Sequence, residues 1–138
     1  CSYDLEQNPE LAEKIKSFNS PAISIYEALS LSQMHEKIRQ GSFCALMSAP
    51  DHAFAFNTKF IEYLANRKPI LLFSYPGETS DFIIKNKLGF YINPADMENG
   101  LNDFFMKMDA VIKDYNYNYN IEPFSIPYLT AKIEALLK

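Results

Sequence analysis

The stretch from Asn57 to Leu72 constrains the fold more than any other. Asn57-Thr58-Lys59-Phe60-Ile61-Glu62-Tyr63-Leu64-Ala65 reads as a short helix, and Lys68-Pro69 then leads into the wholly apolar run Ile70-Leu71-Leu72. Loop, helix and buried strand in that order are what an open α/β sheet uses to present a ligand at its carboxyl edge. Tyr75-Pro76-Gly77-Glu78-Thr79 closes the strand with a second loop that opens another helix. Two such loops in succession predict a nucleotide crevice.

The same alternation extends through the chain. Asn8-Pro9-Glu10 has the cap, first-position proline and early acid of a helix start, and Leu11, Ile15 and Phe18 give that helix an apolar face. Residues 22–26 alternate as a short strand. Ser30 caps a helix whose Leu31, Met34, His35 and Ile38 fall at helical spacing. Residues 43–47 read as a fully buried strand, 58–67 as a helix, 69–74 as a strand, 80–87 as a helix and Gly89–Ile92 as a strand. Met97, Leu101, Phe104, Phe105, Met108, Val111 and Ile112 then keep helical period. Residues 115–120, alternating Tyr and Asn, read as a linker to a last helix over 128–137 that packs back on the domain. Strands separated by helices predict a single α/β domain over 1–138: a Rossmann-like parallel sheet flanked by helices. In the doubly wound strand order the 22–26 strand sits apart from the others, so the sheet is either incomplete or simpler in order. An exposed strand edge in such a sheet invites self-association.

Composition removes several classes. The chain has 138 residues, one domain by length, with 17 acidic against 13 basic side chains and a net charge of −4. Its basic residues cluster no further than pairs such as Arg67-Lys68, which argues against nucleic acid or an anionic membrane as partner. No apolar run approaches the roughly 20 residues of a membrane span, and no signal peptide is visible. Two cysteines, Cys1 and Cys44, form neither a disulfide framework nor a metal motif, so a reducing cytoplasm is the expected location. A chain opening on Cys1 reads as a piece of a longer protein.

Glu62 is the leading candidate for ligand chemistry. An ionised carboxylate only accepts hydrogen bonds, and on a rigid helix it suits the paired hydroxyls of a ribose. The competing reading is a solvated acid near the positive end of a helix. Thr58 and Lys59 stand where the first N–H groups of the helix would meet a diphosphate; a capping Thr and an exposed Lys explain them equally well. Pro76-Gly77-Glu78 reads first as a tight turn before a capped helix, and second as a crevice wall with close backbone approach at Gly77. His35 reads as a core or boundary residue and His52 as a loop residue, with no third ligand for a metal. Asp51 beside His52 does not make an acid–base pair, because sequence neighbours rarely face one another.

Residues 57–72 also resemble a segment of nucleotide-sugar-dependent glycosyltransferases of the GT-B fold, above all the large retaining group. The resemblance runs on through Pro76-Gly77, the 80–88 helix, Gly89-Phe90-Tyr91-Ile92 and the last helix. It implies the back part of a carboxyl-terminal GT-B domain, with Glu62 accepting from the donor's ribose hydroxyls. Asn57, Thr58, Lys59, the backbone near Phe56, and Leu29 at the base are the implied further contacts with a nucleoside diphosphate sugar. That sugar nucleotide is the donor substrate; no cofactor, metal or catalytic residue is implied. Acid–base groups and acceptor would come from an amino-terminal GT-B domain. The chain departs from the pattern at Phe54, where many relatives carry a second Glu, at Asn57, usually Pro or Gly, and in having no upstream Gly-rich loop or basic pair. Those departures leave a rival: a non-catalytic α/β assembly module with an empty crevice.

Overall fold

A computed structural model describes residues 9–17, 20–22, 24, 26, 29–49 and 56–136. The chain divides into two compact units, Cys1–Met34 and His35–Lys138. The first holds helix α1 (Pro9–Ser17), with Glu10 in its first turn, and the start of α2 (Leu31–Gln40). Ser30 caps α2 as expected. Its Oγ accepts from the Gln33 N–H at 3.4 Å, and the Gln33 side chain accepts from the Ser30 N–H at 3.0 Å, a reciprocal box. Leu31 does not join the apolar face assigned to it but is 66% exposed. The proposed Asn8 cap and the Leu11, Ile15 and Phe18 face lie outside the described side chains. So do Cys1, 50–55 and much of the 22–26 strand.

The second unit is built on three parallel strands, β1 (Cys44–Met47), β2 (Ile70–Phe73) and β3 (Gly89–Ile92), in that spatial order. Cys44, Ile70 and Gly89 are in register, as are Leu46, Leu72 and Tyr91. Helix α3 (Thr58–Ala65) links β1 to β2, and α4 (Glu78–Lys85) links β2 to β3. Two crossovers of one hand, stepping in one direction across a sheet, put both helices on one face. That is where they sit: Phe60 and Leu64 of α3 and Ile83 of α4 bury with Leu46, Ile70, Leu72 and Leu88 in one core. Helix α5 (Met97–Asp114) covers the other face at β3. There Phe104 meets the Phe90 ring at 5.5 Å and Phe43 at 5.0 Å, and Gly100 lets the helix backbone close on Ile92. This is an α/β fold with a parallel sheet flanked by helices, of the Rossmann-like kind.

Two expectations are corrected by packing, and the linker segment is tied down more closely than its composition suggests. β1 is not fully buried: Cys44 and Leu46 face the core while Met47 is 78% exposed, because nothing among the described residues covers that end of the α5 face. Residues 115–120 are no free tether. Tyr115 is buried, the Asn116 N–H bonds the Lys87 carbonyl at 3.0 Å, and Arg67 Nη1 donates to the Tyr119 carbonyl. Helix α6 (Ile126–Leu136) does not pack back: Ile126, Leu129, Ile133 and Leu136 are all exposed. The face it would have covered is already closed by α3, α4 and the 115–124 segment, with Tyr119, Ile121 and Phe124 packed on the core.

Candidate functional site

Parallel strands joined by helices place every helix start at the carboxyl edge of the sheet. Asn57 and Thr58, Gly77 and Glu78, and Asn93 after β3 therefore share one edge. At α3 the cap is Asn57, not Thr58. Asn57 is extended, with φ −83° and ψ 167°, and its Oδ1 accepts from the Phe60 N–H at 2.9 Å. One of the N–H groups expected to face a diphosphate is thus already used. Thr58 is exposed beside it.

Glu62 is half-buried on α3, and its Oε2 accepts from Lys59 Nζ at 2.8 Å. That hydrogen bond is the main cause holding the Lys59 ammonium above its ordinary pKa, against some desolvation. Lys59 is therefore not a spare cation at the helix start but a partner of the carboxylate. Oε1 takes no part in that bond. The Phe56 ring stacks on Phe60 at 4.8 Å and meets Phe82 at 4.8 Å and Phe124 at 5.7 Å. Its side chain belongs to an aromatic cluster while staying 38% exposed. Sequence reasoning thus brought Phe56, Asn57, Thr58, Lys59 and Glu62 together on one helix start. Leu29 lies in the first unit, where it is 38% exposed.

At the second helix start, Ser80 does more than begin the helix. Its Oγ accepts from the Gly77 N–H at 3.0 Å and donates to the Gly77 carbonyl at 2.8 Å, tying the turn shut. Gly77 has φ 177°, extended backbone open to any residue, so the tight-turn reading stands without a special need for glycine. Ser74, Thr79 and Ser80 are all buried here. The sequence offered no sign of that, because burial of a hydroxyl depends on what folds over it.

His35 is half-buried, with Nδ1 at 2.9 Å from the Asn66 amide nitrogen, which donates to it. It is a boundary residue, as expected. Cys44 is a buried free thiol, its pKa pushed up by burial. Among the described residues no group of His, Cys, Asp or Glu is arranged to hold a metal ion, and no helix is long and apolar enough to cross a membrane. His52, Asp51 and Phe54 lie outside the described residues. A cavity of about 390 Å³ lies elsewhere, at β3, lined by Ile84, Lys87, Gly89, Phe90, Tyr91, Lys107, Ala110, Val111 and Asp114. Comparison with known proteins finds no matching family model, no matching curated protein and no matching solved structure.

Proposed function

We propose that this chain is the donor-nucleotide-binding, carboxyl-terminal part of a GT-B glycosyltransferase. In this reading the parent enzyme transfers a sugar from a nucleoside diphosphate sugar to a glycan or lipid-linked acceptor. The observation that carries the reading is Glu62: an acid in the second turn of α3, the helix that starts at the carboxyl edge of a parallel sheet, in a segment resembling the family's donor motif. Lys59 fixes one carboxylate oxygen, which orients the other toward a vicinal diol. The exposed start of α3 offers its positive end to the diphosphate in place of a metal ion. An amino-terminal domain of the parent enzyme supplies the acceptor and the acid–base groups, and the location is the cytoplasm, where Cys44 stays reduced.

A second reading, a non-catalytic assembly module, draws on the exposed apolar side of α6 and on Phe105 and Met106 of α5, 66% and 79% exposed. Calorimetric titration with UDP, GDP and ADP separates the two. The donor-site reading expects saturable binding of one nucleotide at about millimolar affinity, roughly −4 kcal/mol, lost in Glu62→Ala. Binding untouched by that substitution, or no binding of any of the three, overturns it and leaves the assembly module.

A further inference from the structure

The cavity at β3 stands apart from the donor site and is independent of the reading given to it. Its floor is the outer edge of β3. In a parallel pair each residue turns both its main-chain groups to one side, and successive residues alternate. The Ile70 N–H bonds the Leu88 carbonyl at 2.9 Å and the Ser74 N–H bonds the Ile92 carbonyl at 3.2 Å. With Ile70 in register with Gly89, it is Leu88, Phe90 and Ile92 that turn toward β2. Gly89 and Tyr91 therefore turn their N–H and C=O groups outward, into the cavity both residues line. Helix α4 walls one side with Ile84, 58% exposed, and the other wall is α5 with Val111. Lys87 and Lys107 are at the rim.

We propose that this groove binds an extended peptide segment of a partner protein, which adds to the outer edge of β3 as a further strand and turns a carboxylate to Lys87. The floor decides the class of ligand. Donors and acceptors recur along it every second residue, about 7 Å apart, a spacing that an extended polypeptide matches and a lipid or a nucleobase does not. Apolar side chains of the incoming strand meet Ile84 on one face and Val111 on the other. Lys107 is already held by Asp103 at 2.8 Å and Asp114 lines the same cavity, so Lys87, which forms no ion pair among the described residues, is the one lining cation left to meet a carboxylate. The β1 edge of a second copy fits less well. It would arrive with its own flanking helices against α4 and α5, and a β1-to-β3 contact is head to tail, without the two-fold closure of an ordinary dimer.

The test selects short linear peptides by display on the full chain and titrates the best of them into isotope-labelled protein. Amide hydrogen exchange is read residue by residue. In the free chain Gly89 and Tyr91 should exchange fast while Phe90 and Ile92 are protected. Saturating peptide should slow Gly89 and Tyr91 by about tenfold or more. Tyr91→Pro, which removes an outward N–H together with the ring packed on the core, should abolish binding with the Phe90 and Ile92 protection retained. Lys87→Glu should weaken acidic peptides by about tenfold and not neutral ones; it decides the matter if Tyr91→Pro fails to fold. The proposal fails if no peptide binds more tightly than about millimolar, or if bound peptides leave Gly89 and Tyr91 unchanged. It also fails if those two amides are protected without peptide in a way that grows with protein concentration, which would assign the edge to a second copy.

Discussion

Gly89 opens β3 at φ +154°, and a Cβ there would lie 1.9 Å from the Ile70 carbonyl oxygen and 2.6 Å from its nitrogen. Both objections are to backbone, so no side-chain rotation relieves them. Gly89→Ala must part β3 from β2 at the register pair that seats the central strand, and the expected loss is more than about 3 kcal/mol in urea unfolding. A loss within a few tenths would show that the two strands are not so closely paired. That Gly89 begins a strand is legible in Gly89-Phe90-Tyr91-Ile92; that only glycine fits there is not, because the obstacle is a strand nearly twenty residues back (Ile70). The cap of α3 is similar. Thr58 and Asn57 both have capping chemistry, and the choice of Asn57 follows from where the chain turns extended.

Helices α3 and α4 end in the same device. After Asn66 and Asn86, Arg67 and Lys87 both take φ +54°. In α3 the Lys68 N–H reaches the Tyr63 carbonyl at 3.1 Å and the Arg67 N–H that of Leu64 at 3.0 Å; in α4 Leu88 reaches Ile83 at 2.9 Å and Lys87 reaches Ile84 at 3.2 Å. These are paired Schellman closures with a basic residue at the left-handed position that glycine usually fills. The left-handed conformation costs such a residue about 1–2 kcal/mol, against about 0.5–1 kcal/mol for the extra freedom glycine loses on folding. Lys87→Gly should therefore stabilise the fold by about 0.5–1 kcal/mol in chemical denaturation. Arg67→Gly should gain less or lose, since it also removes the guanidinium donor to the Tyr119 carbonyl. Equal gains at both sites would mean that this donor contributes nothing. The closures also explain why the expected 58–67 helix stops at Ala65: Asn66 and Arg67 carry no glycine to announce the end. The helix expected over 80–87 begins earlier, at Glu78, with Gly77 at the cap and Ser80 folded back on it from inside the helix. β1 read as fully buried because Cys44-Ala45-Leu46-Met47 is apolar throughout. Composition cannot tell a central strand from one with an open face.

At the scale of the molecule, the alternation of apolar runs and helical periods was enough to give a parallel sheet flanked by helices, and the segment around Glu62 enough to point at its carboxyl edge. What closes the α3 and α4 side was not legible. Tyr115–Asn120 looks like a spacer by composition, yet every second side chain is an aromatic with a choice of where to go. Tyr115 is buried, Tyr119 packs on the core with its ring 5.7 Å from Phe82, and Tyr117 stays 52% exposed. Tyr115 carries a measurable consequence. Burial raises its phenol from 10.0 to about 12, with Arg67 opposing the shift. Because the folded pKa is the higher one, the unfolded chain releases this proton first as pH rises. The contribution is whole below about pH 10 and is lost progressively toward about pH 12, at about 1.4 kcal/mol per pH unit, or 2–3 kcal/mol in all. Tyr63, Tyr91 and Tyr119 are shifted upward by desolvation too and act with the same sign. Unfolding free energy measured from neutral to strongly alkaline pH should accordingly fall above about pH 10, and Tyr115→Phe should flatten that fall by one proton's share. An unchanged slope in the variant would mean that the 115–120 segment stands away from the core in solution, and with it the closure over α3 and α4.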